Sequence, residues 1–161
     1  MNVQNKNLNA VRASKKDEFY TQLPDIEKEL KYYKAHFRDK VVLCNCDDPH
    51  ISNFFRYFCD NFDRLGLKKL IAACYKKTDA DNPAVYSEYM GRKNGAHTSD
   101  RGTIRVAPLK GDGDFRSEEC IGLLEQADVV VTNPPFSLFR DFMAQLMRYG
   151  KKFLILDIGT P

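Results

Sequence analysis

The stretch that decides the fold is Asp128-Val129-Val130-Val131-Thr132-Asn133-Pro134-Pro135-Phe136. Its three consecutive valines are typical of a strand that is buried on both faces of a parallel sheet. The two prolines that follow fix the backbone dihedrals and remove two backbone N–H donors. The stretch therefore predicts a buried strand that ends in a rigid turn, with Asn133 and Phe136 on either side of the proline pair.

Strand-like and helical patterns alternate along the rest of the chain. Apolar residues at helical spacing predict helices that begin at Pro24, Ser52, Ser117 and Ser137. Short apolar runs between them predict strands over residues 41–44, 70–75, 85–90, 103–109, 128–132 and 153–156. This alternation predicts an α/β fold with a mostly parallel sheet that is covered by helices on both faces.

The chain divides into a short arm and one domain. Residues 1–16 carry no apolar periodicity and are expected to form a flexible N-terminal arm, which leaves residues 17–161 for the domain. Within that domain, residues 78–107 contain two strand-like runs joined by a stretch rich in Gly and Asn. We interpret this part as a hairpin-like insertion with a mobile tip.

Composition excludes two broad classes of protein. The 161 residues have 43% hydrophobic and 29% charged residues, and no apolar run approaches the length of about 18 that a membrane span needs. The N-terminus lacks the apolar region of a secretory signal, and an odd number of cysteines argues against a disulfide framework, so a cytoplasmic protein is expected. The net charge of +3 permits nucleic-acid binding without predicting it.

A metal site is not expected around the first predicted strand. Cys44 and Cys46 are followed by acidic residues and by His50, a composition that suits metal ligands. However, the spacing of these residues does not match the spacing that zinc ligands prefer. We therefore predict no metal.

In open α/β sheets, ligands bind outside the carboxyl ends of the strands. The loops that follow Cys46, Tyr75 and Thr132 are therefore expected to converge on one site. The Asn-Pro-Pro-Phe turn supplies that site with chemistry, because the Asn133 side-chain carbonyl and a rigid backbone carbonyl could together hold an amino group. If that amino group belongs to a nucleic-acid base, the ring of Phe136 could stack on the same base. A base in a DNA duplex must be flipped out of the stack to reach such a site. The alternative is a stiff turn in which Asn133 is only a local cap.

Several blocks of sequence, in order, resemble one family. They are residues 15–22 (Lys-Lys-Asp-Glu-Phe-Tyr-Thr-Gln), 45–49 (Asn-Cys-Asp-Asp-Pro), 108–117 (Pro-Leu-Lys-Gly-Asp-Gly-Asp-Phe-Arg-Ser) and 132–140 (Thr-Asn-Pro-Pro-Phe-Ser-Leu-Phe-Arg). Together they resemble the EcoRI-type adenine-specific DNA methyltransferases. The resemblance implies a Rossmann-like class I fold, S-adenosyl-L-methionine as cofactor, DNA as partner, and methylation of the exocyclic amino group of adenine.

The resemblance also implies roles for individual residues. Catalysis would fall to Asn133, Pro134, Pro135 and Phe136. Cofactor binding would fall to three groups: Phe19, Tyr20 and Thr21 over its methionine end; Asn45, Asp47, Asp48 and Pro49 in the first-strand loop; and Asp114 and Phe115 at its adenine. There the Asp114 carboxylate would accept from the amino group of the adenine, and the Phe115 ring would pack on its face. Two alternatives stay open, since the acidic pair after Cys46 could cap the next helix and residues 111–114 could be a plain turn. No residue is assigned to the ribose.

The resemblance implies a longer sheet than this chain would build. Methyltransferases of this fold have seven strands, and the chain is expected to lack the last of them. Residues 153–156 would then form an open sheet edge, which favours association. We therefore expect a homodimer, pairing with a complementary chain across that strand, or a chain that is inactive despite keeping its motifs.

Three other functions remain open at this point. Asn-Pro-Pro with an aromatic residue also occurs in methyltransferases that act on protein glutamine, whose amide presents a similar planar nitrogen. Adenine in RNA is a further candidate acceptor. The third alternative is a truncated, non-catalytic remnant that binds the cofactor without transferring its methyl group.

Overall fold

The computed structural model describes residues 22–45, 53–76, 83–91, 104–134 and 136–156. Several predicted features lie outside the described residues. They are the arm 1–16, the cofactor positions Phe19, Tyr20, Thr21, Asp47, Asp48 and Pro49, the cap Ser52, the tip of the insertion, the catalytic-motif residue Pro135, and residues 157–161.

Five α-helices and two 3₁₀ segments lie in the described parts of the chain. The helices are α1 (Leu23–Leu30), α2 (Asn53–Asp60), α3 (Phe62–Leu65), α4 (Glu118–Gln126) and α5 (Phe139–Arg148). The 3₁₀ segments are Lys31–Phe37, which continues α1, and Phe136–Leu138, which leads into α5. In these same ranges, we find no helix with the length and apolarity that crossing a membrane requires.

Six strands form one mixed sheet. They are β1 (Val41–Asn45), β2 (Lys69–Ala73), β3 (Val85–Tyr89), β4 (Arg105–Pro108), β5 (Val129–Thr132) and β6 (Lys152–Ile155). The order across the sheet is β4-β3-β2-β1-β5-β6. The four strands β2, β1, β5 and β6 are parallel, whereas β3 and β4 add as an antiparallel pair beside β2. The predicted mostly parallel α/β sheet is confirmed.

The alternation of side chains along the central strands builds two cores. Val42, Leu70 and Val131 face α1–α3, where Ile26, Leu30, Phe37 and Phe58 complete one buried cluster. Leu43, Ile71 and Val130 face the opposite way, toward a cluster formed with Leu124, Phe142 and Leu146 of α4 and α5. In the described part of the chain, the central strands therefore form a middle layer with helices on both faces.

Two details of the predicted helices were wrong. The helix expected up to Gly66 breaks at Asn61, whose backbone leaves the helical region with φ −108° and ψ 13°. Its side-chain amide donates to the Tyr57 carbonyl at 2.9 Å, and its backbone N–H donates to the same carbonyl at 3.0 Å. Ser137 does not cap α5, since it lies inside the 3₁₀ turn and Leu138 takes the N-cap position. An N-cap needs extended backbone, which the turn after the prolines does not provide. By contrast, Ser117 caps α4 as predicted, accepting from the Cys120 N–H at 3.3 Å.

Lys151 ties the end of α4 to the start of β6, and its loss is expected to be measurable. Its Nζ donates to the carbonyls of Glu125 at 3.1 Å and Ala127 at 2.8 Å, at the negative end of the helix dipole. Lys151→Met should lower the free energy of unfolding by about 1–2 kcal/mol, because two charge-assisted hydrogen bonds to backbone carbonyls are lost. Urea unfolding measures this, with Lys152→Met, at the exposed neighbouring position, as the control that should stay within about 0.5 kcal/mol of wild type. Equal effects of the two substitutions would contradict the assignment.

Candidate active site

The carboxyl ends of β1 and β5 are held together by a buried hydrogen bond. Thr132 is fully buried, and its hydroxyl donates to the backbone carbonyl of Asn45, which is itself buried. On the other side, the Leu156 N–H donates to the Thr132 carbonyl at 3.1 Å. The last residue of β5 is therefore fixed on both flanks, so Asn133 leaves the sheet from a rigid position next to the end of β1.

The turn after β5 combines a buried proline with an exposed aromatic ring. Pro134 is buried and Asn133 is half-buried, whereas the side chain of Phe136 is 95% exposed. Scattered apolar side chains are common on protein surfaces, but an almost fully exposed ring beside a fixed turn is a surface on which a planar group can stack. The turn thus places an amide and an open aromatic ring within three residues of each other.

Residues 112–113 pack against the chain that leaves β2. The Lys76 N–H donates to the Asp112 carbonyl at 2.8 Å. Gly113 has a φ of +80°, and a Cβ added to it would lie 3.0 Å from the Cys74 carbonyl carbon and closer still to the carbonyl oxygen. Only glycine fits this approach, which fixes the segment at the carboxyl end of β2.

The Asp114 carboxylate is held by Arg116. Its Oδ1 accepts from the Arg116 backbone N–H at 2.8 Å and from Nε at 3.0 Å, and its Oδ2 accepts from Nη2 at 2.9 Å. These hydrogen bonds hold the pKa of the Asp114 carboxyl below its usual value, with burial opposing them. The carboxylate is therefore ionised at neutral pH and fixed in direction, while part of it stays accessible to solvent.

Phe115 points into the core instead of the solvent. Its side chain is 4% exposed and packs edge-to-face on Phe142 of α5, with ring centroids 5.3 Å apart. Its backbone carbonyl accepts from the Gln145 side-chain amide at 3.0 Å. The ring therefore anchors the segment to the helix layer, next to the accessible Asp114 carboxylate.

The structure brings three groups of predicted residues to one edge of the sheet. Because β2, β1 and β5 are adjacent and parallel, Asn45, the Asp114–Phe115 pair and the Asn133 turn all lie at carboxyl ends of neighbouring strands. Such an edge is where open α/β sheets bind ligands.

Sequence reasoning missed three polar residues around this site, namely Arg116, Asp141 and Gln145. Arg116 lies two positions after Asp114, a spacing at which the guanidinium can reach the Asp114 carboxylate. Asp141 and Gln145 are four residues apart and so share one face of α5. That spacing could have identified a common polar face, although not the segment that the face contacts.

A family profile described as adenine-specific methyltransferase EcoRI matches residues 7–160. The type II methyltransferase M.EcoRI of Escherichia coli is 54% identical over 96% of this chain and 49% of its own length. M.MpnI of Mycoplasma pneumoniae is 45% identical over 92% of the chain and 42% of its own length, and M.MgeORF184P of Mycoplasma genitalium is 39% identical over 94% and 44%. Both are also named type II methyltransferases.

No solved structure matches the chain significantly. The chain spans about half the length of the curated relatives it matches. The family match, however, covers nearly all of its residues and includes every segment that forms the site described above. The chain belongs to the family of EcoRI-type adenine-specific methyltransferases.

Proposed function

We propose that this chain is the cofactor-binding and catalytic half of an adenine-specific DNA methyltransferase with a Rossmann-like class I fold. It would methylate the exocyclic amino group of adenine. The observation that carries the proposal is the turn after β5, where the half-buried Asn133 and the 95% exposed ring of Phe136 flank a proline pair at the carboxyl edge of the sheet. The membership of the chain in its family supports the same chemistry.

Asn133 would hold the target amino group. Its side-chain carbonyl accepts one N–H of that group, and a backbone carbonyl of the turn accepts the other, which draws the nitrogen lone pair toward the methyl donor. Pro134 and Pro135 keep competing backbone N–H donors out of the turn. The ring of Phe136 would stack on the adenine, which reaches this edge only after it is flipped out of the duplex. The amino group then loses a proton to solvent, so no base is needed in the pocket.

The residues at this edge fit S-adenosyl-L-methionine as the cofactor. When bound, it supplies an electrophilic methyl group on a sulfonium centre. Asp114 offers an ionised, partly accessible carboxylate for the amino group of the cofactor's adenine, and Phe115 anchors the wall beside it. Asn45 would contribute at the end of β1. Beyond the described residues, we propose Asp47, Asp48 and Pro49 for the methionine moiety and Phe19, Tyr20 and Thr21 for closing over it.

The edge of β6 is a proposed contact with another chain. In the described part of the sheet, β6 pairs with β5 along one side only, and its residues Phe153, Leu154 and Ile155 are only partly buried. An unpaired apolar edge tends to add a strand. We propose that a second copy or a complementary chain pairs there, which sedimentation of the purified protein at several concentrations would detect.

Transfer of a labelled methyl group tests the proposed function directly. The purified chain is incubated with labelled S-adenosyl-L-methionine and methylation-free DNA, and the DNA is hydrolysed to nucleosides. We expect the label in N6-methyl-2′-deoxyadenosine, because the Asn133 turn is proposed to hold the planar amino group of adenine. RNA of the same sequence and a glutamine-containing release-factor peptide serve as competing acceptors.

Two results would contradict the proposal. Label in the RNA or in the peptide glutamine, but not in the DNA, would assign the turn to another substrate. Cofactor binding without transfer to any acceptor would identify the chain as a non-catalytic binding module.

A further inference from the structure

One face of α5 holds the segment that carries Asp114. The Arg116 Nη1 lies 3.6 Å from Oδ2 of Asp141, and the Gln145 Nε2 donates to the Phe115 carbonyl at 3.0 Å. Phe142, between them in sequence, packs against the Phe115 ring. Asp141, Phe142 and Gln145 of α5 thus contact the consecutive residues Phe115 and Arg116. The 3₁₀ turn Phe136–Leu138 connects α5 to the Asn133 turn.

The bidentate pair between Arg116 and Asp114 is expected to contribute little to the stability of the fold. The Arg116 side chain is 53% exposed, and exposed ion pairs contribute little to folding. What the bidentate geometry does determine is direction, because two parallel N–H donors fix the plane of the carboxylate. The lone pairs of Asp114 that Arg116 leaves unused are therefore presented to a ligand in one orientation.

Gln145 makes a matching contact with the backbone. Its Nε2 donates to the Phe115 carbonyl, while its Oε1 is buried and has no hydrogen-bond partner in the described part of the chain. The amide thus has a single productive bond, and that bond sets the distance between α5 and the residue next to Asp114. A carboxylate at this position could not donate and would repel the carbonyl.

We propose that Arg116 and Gln145 are positioning residues that align the Asp114–Phe115 segment with the Asn133 turn through α5. Arg116 orients the Asp114 carboxylate for the cofactor's adenine, and Gln145 fixes the position of the Asp114–Phe115 segment relative to α5. This inference rests on the proposed function, since the alignment matters only if both ends of the site bind parts of one reaction complex.

The test measures the binding of S-adenosyl-L-homocysteine to the full chain by calorimetry. Arg116→Ala should weaken binding roughly tenfold, because the acceptor loses its orientation. Arg116→Lys should weaken it nearly as much, since an ammonium cannot span both carboxylate oxygens. The control is Arg56→Ala, which breaks an ion pair of similar exposure on α2 and should bind like wild type. For Gln145→Glu, which should also weaken binding, the control is Gln126→Glu at an exposed position of α4.

Two further readouts separate positioning from general destabilisation. In an Asp114→Asn background, Arg116→Ala should cause no additional loss of binding, because its effect passes through Asp114. In methyl transfer, Arg116→Ala should raise KM for the cofactor while kcat at saturation stays within about threefold. Arg116→Ala should unfold at nearly the wild-type temperature, because exposed ion pairs contribute little to folding.

The outcomes distinguish this inference from the proposed function. If Arg116→Ala binds as tightly as Arg56→Ala, or weakens the Asp114→Asn protein by the same factor as wild type, the inference is overturned while the function stands. If the wild-type chain binds no S-adenosyl-L-homocysteine, the proposed function fails and this inference fails with it.

Discussion

Replacing Asn133 with alanine is expected to reduce methyl transfer at least about a hundredfold while cofactor binding is retained. Asn133 is the side chain proposed to accept from the target amino group, and alanine leaves that group without its acceptor. The side chain is only half-buried, so its removal opens no large cavity in the core. The measurement is label transfer into adenine under saturating cofactor, alongside calorimetric binding of S-adenosyl-L-homocysteine.

Asn61→Ala is the matched control for this prediction. Asn61 is also half-buried, and its amide bonds to the Tyr57 carbonyl at the break between α2 and α3, on the helix layer away from α5. This variant should keep wild-type transfer per folded molecule. Equal transfer by Asn133→Ala and wild type would remove Asn133 from the mechanism, and loss of cofactor binding together with transfer would show that its role lies in folding or in the cofactor pocket.

The sequence was sufficient where one local pattern dominates. Three valines shortly before a proline pair favour a buried strand that ends there, and β5 ends at Thr132 as expected. Gly66, with φ of +69°, ends α3 because glycine adopts the left-handed conformation freely. Asn61 shows the limit: the apolar spacing continues through it, yet its backbone leaves the helical region while its side-chain amide bonds to the Tyr57 carbonyl.

The sequence predicts which residues of the site lie at the ends of the strands, but it does not predict how their side chains pack. Parallel pairing brings Asn45 and Asn133 to one edge whatever the details of the side chains, so periodicity was enough. The direction of Phe115 depends on Phe142, which lies 27 positions later, because that ring offers it an edge-to-face contact. Gln145 is similar: its partner is a backbone carbonyl 30 residues away, and no sequence motif marks such a bond.

Among the glycines in the described residues, Gly113→Ala is expected to cause the largest loss of stability. Alanine at φ of +80° is strained by about 1–2 kcal/mol, and its Cβ would collide with the Cys74 carbonyl at the end of β2. Displacing that backbone adds roughly 1–3 kcal/mol, a large part of the stability of a small domain. Thermal unfolding should shift downward by roughly 10 °C. Because Asp114 follows directly, the variant that remains folded should also bind the cofactor more weakly.

Two other glycines separate the causes of this effect. Gly150 has φ of +62° but open space around its added Cβ, so Gly150→Ala reports the strain alone and should cost about 1 kcal/mol. Gly122 lies within α4, also with open space, and Gly122→Ala should raise stability by about 0.5–1 kcal/mol because alanine favours the helix. The excess loss in Gly113→Ala over Gly150→Ala then measures the close approach between residue 113 and β2. Equal losses would mean that the segment can withdraw from β2 without cost, and the fixed wall proposed for the cofactor's adenine would have to be abandoned.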